Sequence, residues 1–300
     1  MQLLDYVVRE DWRERTKEMR RETIRLWRAL QALVILSALS SFVVSFLCPS
    51  QPWKDVCHTA LSSCLFIGFS VWTALRPEES EKRRVAYAGL ATLILVGTAA
   101  VGGLLYSPPG GAQDDAWTIV GSLVMLSSWG LLVWAHGRRR AAIEQLGLTT
   151  EKWTGSVLLG GVAGAAVGVH LMLTGHFAGL EHGPRPDWAT VVWQVSYWAG
   201  LRGLGEELLF RGLGFRLLRE RLGRGFWATA APLMVLNVLP YLVTRSSVVD
   251  EPAGLWVLPY VALVALLNVA LREWWRSVIP CLACNVAFNL VLLVGLGYVV

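Results

Sequence analysis

Nine stretches of this chain are apolar over lengths near the thickness of a bilayer's hydrocarbon core, and that repetition constrains the fold more than any motif does. They fall at about 29–48, 57–76, 85–107, 117–136, 155–174, 188–205, 226–244, 254–271 and 277–298, the sixth being the weakest. A backbone in lipid must satisfy its own N–H and C=O groups, so runs of this length point to helices. With 54% hydrophobic and only 16% charged residues and a mean hydropathy of +0.48, the chain has too little charge to cover a soluble surface of this size. The expected fold is all-α: a polytopic transmembrane helical bundle of about eight to nine spans.

The connecting segments alternate in charge. Residues 1–28, 76–84, 138–152 and 211–224, with Arg272 and Arg276, carry 23 of the 27 lysines and arginines. The opposite side has Lys54, Arg185 and Arg245, and Arg202 falls inside the sixth run. By the positive-inside rule the basic side is cytoplasmic, which makes the expected product an integral, multi-pass protein of the cell (plasma) membrane with its N-terminus in the cytoplasm. The net charge of +5 therefore reads as topology, and no nucleic-acid partner is expected. Residues 1–28 mix both charge signs with apolar residues at near-helical spacing, as an amphipathic helix on the headgroup layer would.

Several smaller features have structural readings. "GSVLLGGVAGAAVGV", from Gly155, repeats small residues every fourth position and predicts close helix packing; no strand precedes it to make a phosphate loop. Cys281 and Cys284 have CxxC spacing but open an apolar helix, and read as small packing residues. Cys48 and Cys57 flank one expected outer loop at a spacing that allows a disulfide. Asn268, inside the eighth run, reads as interhelical glue.

The exception to the apolar pattern is "LRGLGEELLFRGLGFRLLRERLGR", Leu201 to Arg224. Glu207 and Arg211 stand four residues apart, so on a helix they share a face, with Glu206 turned about one hundred degrees aside. Ionisable groups at membrane depth are functional candidates, and a structural ion pair is the competing reading.

"EELLFRG", Glu206 to Gly212, resembles the first motif of the CPBP family, the Abi-like CAAX-processing and bacteriocin-processing intramembrane proteases. "LGLTTEKWTGSVLLGGVAGAAVG" from Leu146 is similar to the start of that family's domain. "LREWWRSVIPCLACNVAFNLVLL" from Leu271 is similar to its last motif, where a basic turn and a proline lead to His-x-x-x-Asn. The chain departs from the pattern at the histidines. Asn285 stands where the last motif has histidine, with the paired asparagine kept as Asn289. The middle motif, Phe-x-x-x-His, falls within "APLMVLNVLPYL". There either Leu239 (with Val235) or Asn237 (with Leu233) takes the histidine position. All five histidines precede the glutamates.

The resemblance implies an intramembrane endopeptidase in which Glu206 activates a water for attack on a peptide bond near the cytoplasmic leaflet. It implies that Glu207 orients the site through Arg211, and that Asn285 and Asn289 donate to the oxyanion; Asn237 in the middle position transfers no proton. Two asparagines and two carboxylates are a poor zinc set, so neither metal nor cofactor is expected. The competing reading is a catalytically inactive relative that binds a peptide or membrane partner without cutting it. A transporter would predict matched broken helices in two halves, which the sequence lacks. The implied partners are a peptide or lipidated protein substrate and the lipid bilayer, with a membrane-protein partner for the N-terminal helices. The expected domains are the cytoplasmic helix 1–28, a four-helix transmembrane region 29–136, a cytoplasmic linker 137–153 and a CPBP-like protease domain 154–300.

Overall fold

A computed structural model describes residues 2–47, 63, 65–73, 115–149, 152–177, 186–244 and 252–296, and every regular element among them is helical. In order these are α1 (Gln2–Leu47), α2 (65–73), α3 (Asp115–Glu144), α4 (Trp153–Phe177), α5 (Trp188–Gly200) and α6 (Arg202–Glu206). Two π-helical segments follow α6 directly, Glu207–Gly214 and Arg216–Arg221. The chain ends in α7 (Phe226–Thr244), α8 (Pro252–Trp275) and α9 (Ile279–Leu296). The third apolar run and the Cys48–Cys57 loop lie outside the described residues.

Among the described residues, two helices are long and apolar enough to cross a membrane: α4, and Val257–Trp275 within α8. Phe226–Leu239 and Ile279–Gly295 are shorter apolar helices. α4 buries only one narrow stripe and leaves Leu158, Val162, Leu173 and Phe177 exposed, an outward apolar face that suits lipid and not water. The tryptophans Trp188, Trp227 and Trp274 near helix ends are also exposed.

The stripe that α4 buries is the small-residue repeat: Ser156, Gly160, Gly164 and Gly168 face α9. A Cβ on Gly160 would overlap the Pro280 carbonyl, and one on Gly164 the Cys284 carbonyl. Only glycine lets the two backbones approach so closely, and van der Waals packing at that distance is what holds helices together where lipid removes the hydrophobic drive. Cys281 and Cys284 are buried free thiols on α9, in line with a packing role.

The turn between α8 and α9 is equally specific. Arg276 adopts a left-handed conformation (φ 55°), and Ser277 Oγ accepts from the Ile279 N–H at 3.2 Å as a cap. Pro280 then sits in the first turn of α9, where a missing N–H costs nothing. The result folds α9 back along α8.

α1 runs without interruption from Gln2 to Leu47, through position 28. Its buried residues Thr23, Leu30, Val34 and Ser37 share one face, which packs on α7 and the second π segment. α2 adds Phe66 and Ile67 to the same core, Phe66 meeting Phe210 edge to face at 5.9 Å. The π segments are thus enclosed by chain from both halves of the sequence.

If the α4–α9 seam is this tight, Gly164→Ala should destabilise the purified protein by about 1–3 kcal/mol, the usual cost of overpacking. Gly161→Ala, with open space at its Cβ, should lose nothing. Thermal unfolding in detergent compares the two.

Candidate functional site

The site begins where a helix breaks. The run 188–205 reads as one span, yet α5 stops at Gly200 and Leu201 leaves helical geometry (φ −127°, ψ −77°). The carbonyls at the end of α5 lose their intrahelical donors there and need others. α3 supplies them: the Trp129 Nε1–H donates to the Ala199 carbonyl at 2.9 Å, and the Ser128 hydroxyl donates to the Gly200 carbonyl. At the other end of α5, Asp187 caps the first turn by accepting from the Thr190 N–H at 2.8 Å. Hydrogen bonding by Thr190 holds that carboxyl below the ordinary aspartate value.

Past the break, α6 and the first π segment carry the glutamates into the core. Glu207 and Arg211 are both fully buried, with Arg211 Nη1 3.2 Å from Glu207 Oε1. That contact is an ion pair without hydrogen-bond alignment, because Nη1 makes no aligned bond; Nη2 donates instead to the Ala265 carbonyl at 2.9 Å. Two amides complete the set: Asn285 Nδ2 donates to Glu207 Oε1 at 2.6 Å and Asn268 Nδ2 donates to the same oxygen at 3.2 Å. Asn268 Nδ2 also lies 3.2 Å from the Asn285 carbonyl oxygen, Oδ1, and Cys281 Sγ donates to the Asn268 backbone carbonyl at 3.1 Å. One carboxylate oxygen therefore ties the π segment to α8 and α9.

The cluster is not fully paired. Glu207 Oε2, Arg211 Nε, Asn268 Oδ1 and Asn289 Oδ1 are buried with no hydrogen-bond partner among the described residues. Buried polar atoms without partners are costly, and native structures leave few of them.

The remaining candidates lie apart from this carboxylate. Glu206 is 8% exposed and pairs with Arg202, whose Nε donates to Oε1 at 3.3 Å. Arg202 is itself stacked over the Trp198 ring, 4.7 Å from its centroid. Asn289 Nδ2 donates back to the Asn285 backbone carbonyl, at 2.9 Å. Asn237 is buried on α7, its Nδ2 without a partner among the described residues. The structure thus brings Glu207, Arg211 and Asn285 together by direct contact, and adds Asn268, whose bonds to two other helices match its reading as interhelical glue and place it in the same cluster.

A second buried arginine supports the first. Arg272 reads from the sequence as a basic-side charge, but it is almost wholly enclosed. Its Nε donates to the Arg211 carbonyl at 3.0 Å, its guanidinium lies over the Phe215 ring at 5.1 Å, and its Nη2 is 3.6 Å from Glu220 Oε1. Gly147 (φ +84°) packs against that guanidinium, in a backbone conformation that side chains rarely adopt and with a Cβ position only 3.0 Å from Arg272, and its carbonyl accepts from the Val278 N–H at 2.9 Å. Nearby, Arg219 clasps Glu273 with three bonds of 2.6–3.1 Å.

Residues 187–291 match the family model described as Type II CAAX prenyl endopeptidase Rce1-like, so a domain of that family lies there. The match holds both glutamates, Arg211 and the four asparagines, and is narrower than the stretch from Leu146 that the motifs suggest. No curated protein and no solved structure matches the chain.

Removing one partner of a buried ion pair strands the other charge. Arg211→Met should therefore cost about 3–5 kcal/mol, and the double variant with Glu207→Gln should recover part of that loss. Thermal unfolding of the two single variants and the double variant measures the coupling.

Proposed function

We propose, from the Rce1-like domain at residues 187–291, that this chain is an intramembrane endopeptidase acting on a lipidated or membrane-bound peptide near the cytoplasmic leaflet. The observation that carries the reading is the unequal placement of the adjacent carboxylates. Glu207 is fully enclosed, and its Oε1 is engaged by Arg211, Asn268 and Asn285; Glu206 is also buried but keeps 8% exposure and has one long ion-pair contact. Two carboxylates in different surroundings suit two different jobs.

In this mechanism Glu206 takes a proton from a water as its oxygen bonds to the scissile carbonyl carbon. The carbonyl oxygen becomes an oxyanion. Each Asn amide nitrogen carries two hydrogens, and Asn285 and Asn289 each use one in the bonds described. The second hydrogen of each is the oxyanion donor. Glu206 then returns its proton to the leaving nitrogen as the C–N bond breaks, which yields a carboxylic acid and an amine; the acid's proton then passes to the amine, giving carboxylate and ammonium. Glu207 and Arg211 touch no reacting atom and hold Asn285 in place. On the alignment that gives Asn237 the middle position, in place of Leu239, that residue exchanges no proton. The basic turns lie on the cytoplasmic side, with the N-terminus.

One observation favours a second reading, a silent relative that binds such a peptide intact. Arg202 sits on the Glu206 carboxylate, in a site where neither position at which the resemblance calls for histidine has one.

Purified protein in nanodiscs, given a prenylated peptide ending in a CAAX sequence, should release the terminal tripeptide. Glu206→Gln should lower that rate by about 10²–10⁴-fold, the range of general-base catalysis, while the unfolding midpoint stays within a few degrees. Tight binding of the peptide by wild type with no release would support the silent reading and end the enzymatic one.

A further inference from the structure

Away from the glutamates, α4 and α8 enclose a groove of about 490 Å³ lined by Ala166, Val167, His170, Pro259, Tyr260 and Leu263. Its size falls in the usual range for ligand sites, and its walls are almost entirely apolar. The helices that form it are the two that, among the described residues, are long and apolar enough to cross a membrane, and the side chains flanking it on both, Val169, Leu173 and Leu263, are exposed. An apolar groove opening between two such helices opens onto hydrocarbon.

One end of the groove is polar in an ordered way. His170 Nδ1 lies 2.8 Å from the Tyr260 hydroxyl, which lies 3.0 Å from Thr174 Oγ1. The Thr174 hydroxyl is also within reach of the His170 and Leu171 backbone carbonyls, at 2.9 and 3.0 Å. Tyr260 therefore occupies Nδ1, and Nε2 is the ring atom left for a ligand. When Tyr260 donates to Nδ1, the neutral ring carries its proton on Nε2 and offers an N–H outward; the imidazolium does the same. At 1.5 Å per residue, His170 stands roughly 27 Å along α4 from Lys152, and Tyr260 about 23 Å along α8 from Trp275, the last residue of that helix. Against a hydrocarbon core of about 30 Å, the polar end therefore lies near the bilayer boundary opposite the basic turns, within reach of the ester oxygens.

We propose that this groove binds one bilayer phospholipid, with an acyl chain along Val167 and Leu263 and an ester or phosphate oxygen accepting from His170 Nε2–H. The chemistry of the groove selects the occupant: the walls are hydrocarbon-facing, the polar end is a hydrogen-bond donor for an oxygen ligand, and that end lies near the lipid ester layer. Tyr260 and Thr174 are positioning residues that fix the imidazole.

Native mass spectrometry of the full chain, released from detergent with added phosphatidylglycerol or phosphatidylcholine, tests this. Wild type should retain one lipid. Leu263→Trp, which fills the groove, should lower the bound fraction at least tenfold, and His170→Phe at least threefold. Val162→Trp, on the exposed face of α4, should leave it unchanged. A photoactivatable phosphatidylcholine in nanodiscs carrying the unmodified protein should label residues 163–170 and 257–263, a readout that stands whether or not a variant folds. Absence of retained lipid, retention unaffected by Leu263→Trp, or labelling spread evenly over the exposed face of α4 would overturn the proposal. So would a groove that takes up a prenylated peptide and no phospholipid. None of these readouts depends on peptide cleavage.

Discussion

A carboxylate and a guanidinium buried together in the protein interior set the terms for everything around them. Neither Glu207 nor Arg211 reaches water, so the cost of removing both charges from it must be offset inside the protein. Their mutual attraction supplies part, and the amides of Asn268 and Asn285 with the Ala265 carbonyl supply more. Those partners come from α8 and α9, which must therefore pack where they do. The glycine seam between α4 and α9, the left-handed turn at Arg276 and the Arg272 bond to the Arg211 carbonyl all serve to hold that arrangement.

The enclosure of Glu207 gives its neighbour a different character. Adjacent residues on a helix point about one hundred degrees apart, so burying one carboxylate among three helices leaves the other at the edge of the cluster. The break at Leu201 then matters, because it decides where that edge lies. The hydrogen bonds from Ser128 and Trp129 that satisfy the broken end come from α3, outside the Rce1-like match at 187–291. The N-terminal half is thus part of the scaffold of the site.

Some of this was legible from residues alone, for physical reasons. A four-residue repeat of glycines admits few uses besides close helix contact, and α4 has that contact. An i, i+4 Glu–Arg pair was readable because both ends lie on one element. What could not be read were relations between elements. Asn268 is 61 residues from Glu207, and nothing local distinguishes an amide that binds a carboxylate from one that bridges two helices. The break at Leu201 depends on side chains some 70 residues earlier, while its own sequence looks like uninterrupted helix. Arg272 has the local sequence of a charge beside the headgroups, and only the fold shows it enclosed by Gly147, Phe215 and the Arg211 carbonyl. Two membrane-length helices emerge among the described residues where nine apolar runs suggested eight to nine.

The account rests on the two glutamates differing in their access to water, and chemical modification reads that difference directly. The folded protein in nanodiscs would be treated with a water-soluble carbodiimide and a small amine, and the modified carboxyls mapped by mass spectrometry. Label on Glu206 with Glu207 protected is the predicted result. Label on Glu207 at a comparable rate, or on neither glutamate, would contradict it.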